Sequence, residues 1–228
     1  MKTYISSVAG AVALAVSIVA LSSAQTFKTD EQIEAMGYSH IYSLSIPDYT
    51  NFKVNGVPYS VNNSNLNLGP IESVAYRLNL GEDNFCYTSF GAYTSDLTRI
   101  GVPVYANQNI QQRYVHNLYY EAKSPLLNTA GTSVSQGNIE FWYLNYEQNN
   151  AAGIPNASGA NNRSGYDFGD KATNGFHGSM QVHDYQNRTT IFAFNNWNNA
   201  GEDAALGVGN SNIANTGPDW TFAVNSQS

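Results

Sequence analysis

GNIEFWYLNY at 137–146, YDFGD at 166–170, GSMQVHDY at 178–185, TTIFAFNNW at 189–197, ALGVGN at 205–210 and GPDWTF at 217–222 share one grammar. In each, a short run of β-branched, aromatic or other apolar residues gives way to Gly, Asn or Asp, the punctuation of an all-β chain. Upstream the same period of two continues. In HIYSLSI, Tyr42, Leu44 and Ile46 share one face while Ser43 and Ser45 share the other. In ESVAYRLNL, Val74, Tyr76, Leu78 and Leu80 point one way, and Arg77 and Asn79 the other. Further strands are expected at 84–94, 113–122, 138–146, 178–185, 189–196 and 219–225. Loops are expected at 61–70, 105–112, 128–137 and 148–165. The pattern predicts a single antiparallel β-sandwich over 38–228, with jelly-roll topology. Residues 25–37 are a lead-in, in which Thr29 and Asp30 before EQIEAM are expected to start a short capped helix, the alternative being a disordered segment.

The first 24 residues carry a different signal. Lys2 supplies a small positive n-region, Val8–Leu21 is an apolar stretch too short for a permanent span, and Ser22-Ser23-Ala24 provides the small residues of a cleavage site. A cut after Ala24 is expected, giving a secreted, extracellular protein that begins at Gln25 and does not insert in the membrane.

Removing Lys2 with the leader leaves 9 basic against 17 acidic residues, a net charge of −8. Nucleic acid and anionic membrane both demand a cationic footprint, so neither is an expected partner. Few charges with abundant Asn, Ser, Gly and Tyr suit an uncharged, hydroxyl-rich ligand such as a glycan or cell-surface polysaccharide. Cys86 is the only cysteine. No disulfide can form within the chain, and strand alternation in NFCYTSF predicts a small buried hydrophobe. Sequons stand at Asn62, Asn156, Asn162 and Asn187, all in turn-rich surroundings where a glycoprotein would carry its sugars.

Several blocks together carry a resemblance. IPD (46–48), VPY followed by VNN (57–63), VAYRLNL (74–80) and FGAYTSDLTRIGVP (90–103) lead into GNIEFW, YDFGD, GSMQVH, ALGVGN and PDWTF. Over residues 38–225 the chain resembles a module of large secreted planctomycete-type bacterial proteins that bear sialate O-acetylesterase or sialidase-like labels. The resemblance implies an accessory β-domain that sits beside a catalytic part. It assigns no ligand residues, and the esterase label belongs to the catalytic part.

Catalytic constellations are sparse. A serine hydrolase needs a nucleophile on a sharp turn with a base in reach, and there is no G-x-S-x-G. Glycoside hydrolysis needs two facing carboxylates. Glu140, between Ile139 and Phe141, is placed on the face away from the core beside Trp142. Asp167, Asp170, Asp184, Glu202, Asp203 and Asp219 fall in turns, where Asp commonly caps its own backbone. His40, His116, His177 and His183 are scattered, without zinc-ligand spacing. No cofactor is called for, but a structural calcium could use the oxygen-rich loops YDFGD and GEDAALGVGN, through Asp167, Asp170, Glu202 and Asp203.

Aromatic residues are the stronger ligand candidates. The chain has 16 Tyr, 10 Phe and 3 Trp, and flat rings stack on sugar faces. Trp197 in FNNWNN stands among four Asn, a context that pairs a stacking surface with amide donors and acceptors. A patch of Trp197, His183 and Arg188 is the sharpest expectation, with Trp142 and Glu140 beside it. The sequence reading is thus a secreted, non-catalytic β-sandwich for carbohydrate binding or extracellular surface interaction. Its alternatives are a glycan-active esterase or glycosidase with an unrecognised site, or a structural matrix protein.

Overall fold

The computed structural model describes residues 1–7, 28–44, 57, 59–79, 85–102, 111–124, 127–142, 176–184, 186–187, 189–198 and 204–209. Its strands are β1 (Lys2–Ser7), β2 (Tyr38–Leu44), β3 (Tyr59–Asn62), β4 (Ile71–Asn79) and β5 (Phe85–Gly91). They continue with β6 (Gln111–Lys123), β7 (Asn128–Trp142), β8 (Phe176–Asp184), β9 (Thr189–Asn198) and β10 (Ala204–Val208). One short helix, α1 (Asp30–Ala35), and a 3-10 turn at Leu97–Arg99 accompany them. The described chain is all-β.

All ten strands join one antiparallel sheet in the order β10-β9-β8-β7-β6-β5-β4-β1-β2-β3. From β4 to β10 each strand lies beside its predecessor, as a meander. The first four strands instead take the order 4-1-2-3 of a Greek key. The sheet is open at β3 and β10. Two separate sheets, and the doubled Greek key of a jelly roll, are therefore not seen among the described strands.

The sheet curls so that its two halves meet. The rings of Tyr76 on β4 and Phe192 on β9 lie 5.6 Å apart, although four strands separate β4 from β9 in the sheet. Ser124, just past β6, donates to the Val208 carbonyl of β10 (3.0 Å). One hydrophobic cluster fills the concave side, with Ile5, Ile41, Val74, Tyr76, Leu78, Cys86, Phe90, Ile139, Met180, Val182 and Phe192 all buried. Of the alternation expected in β4, Val74, Tyr76 and Leu78 are buried and Asn79 is exposed. Arg77 is half-buried, Ala75 is buried on the opposite face, and Leu80 lies outside the described residues. Burial pushes the Cys86 thiol far above its usual range, with the Glu121 charge adding to the effect, so it is inert as a nucleophile.

A smaller cluster lies on the opposite face, where Tyr4, Ala75 and Tyr87 meet Ile33 of α1. This helix starts as the sequence predicts. Thr29 Oγ1 accepts from the Gln32 amide (3.3 Å) while Gln32 Oε1 accepts from the Thr29 amide (2.9 Å), a reciprocal capping box. Charged groups fasten the lead-in to the sheet. Lys28 pairs with Glu121 and sits over the rings of Tyr87 and Tyr119, 4.8 and 4.9 Å from their centroids. Arg77 donates to the Lys28 carbonyl (2.8 Å) and pairs with Asp30 (3.1 Å), which also pairs with Lys2.

Three elements depart from the strand and loop pattern read from the sequence. One is β3, whose Val61 and Asn62 fall in the stretch expected as a loop at 61–70 but pair with Ser43 and Tyr42 of β2. Residues 128–137, expected as a loop, are the first two-thirds of β7. They pair along β6 from Lys123 to Val115, and Val134 is buried while most of their Ser and Thr side chains reach solvent. Cross-strand pairing overrides their turn-rich composition. Lys2–Ser7, within the expected leader, is an internal strand paired to β2 on one side and β4 on the other. Consecutive residues serve opposite faces: Ile5 enters the main core and Tyr4 the smaller cluster. The expected strand at 219–225 lies outside the described residues.

Candidate functional site

The strands β7, β8 and β9 carry one core face and one polar face. Ile139, Val182 and Phe192 are register partners in the core. The alternate positions form the other face, except that at the register shift between Val182 and His183 both Ile191 and Phe192 lie in the core. Tyr114 on β6 pairs with Asn138, Asn138 with His183, and His183 with Thr190. In the next row Gln112 pairs with Glu140, Glu140 with Gln181, and Gln181 with Ala193. Beyond it Trp142 pairs with Ser179 and Ser179 with Asn195, and then His177 with Trp197.

Register thus gathers four of the five sequence-predicted residues, at positions 140, 142, 183 and 197, on a single face. It does not make one patch of Trp197, His183 and Arg188. His183 is paired to Thr190, seven residues from Trp197, which is roughly 23 Å along a strand. Positions 142 and 197 lie much nearer, two strands and two residues apart, or about 12 Å. Arg188 and the calcium candidates Asp167, Asp170, Glu202 and Asp203 lie outside the described residues. Among the described residues no cluster of His, Cys, Asp and Glu could hold a metal ion.

Chemistry is clearest in the first row. Asn138 is 1% exposed, and Gln181, His183 and Thr190 are fully buried. His183 Nδ1 lies 2.7 Å from Asn138 Oδ1. An amide oxygen only accepts, so Nδ1 carries the proton and the Nε2 lone pair is left at the other edge of the ring. Burial drives the His183 pKa down to about 3, so the ring is neutral at physiological pH. A neutral, oriented imidazole could serve as a base, but full burial keeps it from meeting a solvent-borne ligand. His183 therefore supports the face.

Sequence reasoning overlooked Tyr114, the exposed ring at the margin of that row. It is 54% exposed, whereas Val115 beside it is buried in the core. Its neighbours in chain, Arg113, His116 and Asn117, are also exposed. Asn117 adopts φ 55°, a left-handed conformation that asparagine tolerates. The signal in sequence was a period-2 break at RYVHN, which reads equally well as a loop margin.

The hairpin between β8 and β9 is fixed by Asp184. Its carboxylate accepts from the Asn187 amide (3.0 Å), from Asn187 Nδ2 (2.7 Å) and from Tyr120 Oη (2.8 Å). This is the turn-capping role expected of such an Asp. It also engages the side-chain nitrogen of the Asn187 sequon. At the Asn62 sequon it is the amide oxygen that is engaged, by the Ser64 amide (3.2 Å) and Ser64 Oγ (2.7 Å).

No helix among the described residues is long and apolar enough to cross a membrane. Compared with known proteins, the chain matches no family model, no curated protein and no solved structure.

Proposed function

We propose that this chain is a secreted, non-catalytic module that binds a glycan or cell-surface polysaccharide through the polar face of β7, β8 and β9. The carrying observation is the register that sets positions 140, 142, 183 and 197 on that face, with Asn138, Gln181, Ser179 and Asn195 among them. Tyr114 offers an exposed ring at its margin. Aromatic residue types at 114, 142 and 197 suit an uncharged sugar chain stacked on rings, while Asn138 and Gln181, buried like His183, support the face rather than meet the ligand. The spacing of positions 142 and 197 suits an oligosaccharide better than a single sugar. In such a module the two halves of the curled sheet oppose each other across one core as sandwich sheets do, with Tyr76 and Phe192 meeting between them. A structural calcium, if the module carries one, would sit in the loops around Asp167 and Glu202.

A glycan-array screen followed by affinity electrophoresis tests the reading. Tyr114→Ala, Trp142→Ala and Trp197→Ala should each weaken retention by about 0.5–1.5 kcal/mol, the scale of one aromatic contact. Tyr114→Ala should leave the melting temperature nearly unchanged. Absence of glycan retention by the unsubstituted protein, or retention indifferent to all three changes, would refute it.

A further inference from the structure

We propose that the place of β1 is an exchangeable slot: once the leader is removed after Ala24, the gap between β2 and β4 takes up an extended polypeptide segment that carries a basic residue and, two positions later, a tyrosine. The proposal rests on the processing reading. It concerns a different part of the molecule from the glycan face.

β1 stands N-terminal to the expected cut yet is hydrogen-bonded on both sides, Lys2 to Ser6 facing β4 from Arg77 to Ser73 and β2 from Ser43 to Tyr38. Its removal would bare two rows of backbone donors and acceptors. It would also open a hollow on each face, under Ile5 among Ile41 and Val74, and under Tyr4 among Ile33, Ala75 and Tyr87. Buried backbone groups without partners are costly, so the gap favours refilling by another strand. Addition of a peptide strand is an established recognition mode, with main-chain bonds for affinity and side-chain pockets for specificity.

The walls of the slot are held by groups that lie after the cut. Lys28 is bound to Glu121 and between the rings of Tyr87 and Tyr119, and its carbonyl accepts from Arg77. Asp30 is bound to Arg77, and α1 follows directly. Loss of β1 therefore leaves the helix docked and the slot shaped. Its specificity is written in Asp30 and His40. The Asp30 carboxylate pairs with Lys2 and accepts from Tyr4 Oη (2.6 Å), and the Tyr4 ring stacks on His40 with centroids 4.9 Å apart. An incoming strand must reproduce the cation and the phenol to satisfy both.

The test uses the full chain with a protease site inserted between Ser7 and Lys28, cut after folding, and mixed with fluorescent Met1–Ser7 peptide. The expected result is one-to-one uptake of the labelled peptide on mild warming, at least tenfold weaker uptake of a Tyr4→Ala peptide, and none of a scrambled one. A chain spanning residues 25–228 should bind the same peptide and gain thermal stability from it; if that chain does not fold alone, the cut full chain decides. Retention of the original strand without exchange up to the melting transition overturns the proposal. Equal binding of all three peptides, or loss of β1 with no uptake, does so as well. N-terminal sequencing of exported protein is read separately. A start at Met1 overturns the processing step, and with it the proposal, whatever the peptides do, and leaves the glycan reading to its own assay.

Discussion

His183 concentrates the pH chemistry of the described face. It is neutral when folded, with its pKa lowered to about 3 by burial, whereas an unfolded histidine titrates near 6.5. The unfolded state therefore binds the extra proton first as pH falls. The stability tied to His183 is complete above pH ~6.5 and is lost on acidification towards ~3, by up to ~1.4 kcal/mol per pH unit. His183→Gln should cost stability at neutral pH, yet flatten the decline in melting temperature between pH 6.5 and 4. A decline as steep as that of the unsubstituted protein would show that other groups govern the acid limb. Asp30 is a second charged group of the fold to consider. Burial alone would raise its pKa, but hydrogen bonds from Lys2 and Tyr4 and the Arg77 charge outweigh that and hold it below the usual carboxylate range. It stays ionised until well below neutrality and so belongs to the lower part of the same limb.

Among the elements, β7 is the one on which the site depends, and Gly137 is its tightest point. A Cβ there would run into the His183 carbonyl of β8 and the Leu118 side chain of β6. Backbone on one side leaves little room to yield. Gly137→Ala should destabilise by about 1–3 kcal/mol, the range for overpacking, as read from urea midpoints. It should also disturb the Asn138–His183 row more than the far end at Trp142. An unchanged midpoint would show that β7 and β8 part more easily than their register suggests. The elements also show which parts of the fold were legible in sequence. β4, β5, β8, β9 and the capped helix announced themselves, because period-2 alternation and a capping box are local signals. The first part of β7 was hidden, since Ser, Thr and Gly read as turn until a long partner strand is known. β1 was hidden differently, by an n-region and apolar run that look like a leader whatever structure they adopt. For the site, residue types at 140, 142, 183 and 197 could be named in advance. Their shared face, the burial of His183 and the exposure of Tyr114 depend on register and curl, which no local pattern encodes.

In the molecule as a whole, one core serves both halves of a single sheet. Tyr76 and Phe192 meet across it, and Tyr76 further bonds the Ile100 carbonyl (3.0 Å) and the Tyr93 hydroxyl (2.9 Å). Neither half can unfold without stripping the other, so unfolding should be a single transition, with far-UV circular dichroism and tyrosine fluorescence superimposing. Phe192→Ala should lower stability by about 3–5 kcal/mol while keeping the transition single. Two resolved steps would mean that the halves are independent units.

The Greek-key order at the start of the chain has a consequence for synthesis. β1 is made first, but its partners are not: β2 follows the lead-in, and β4 arrives only after β3 is complete. Non-local pairing of this kind is slow, because loop closure must precede its reward. A nascent chain therefore leaves the ribosome with its first strand unmatched, and the first four strands cannot close until Asn79 has emerged. Such a delay leaves the backbone groups of the earliest strand to water until both of its neighbours have been made.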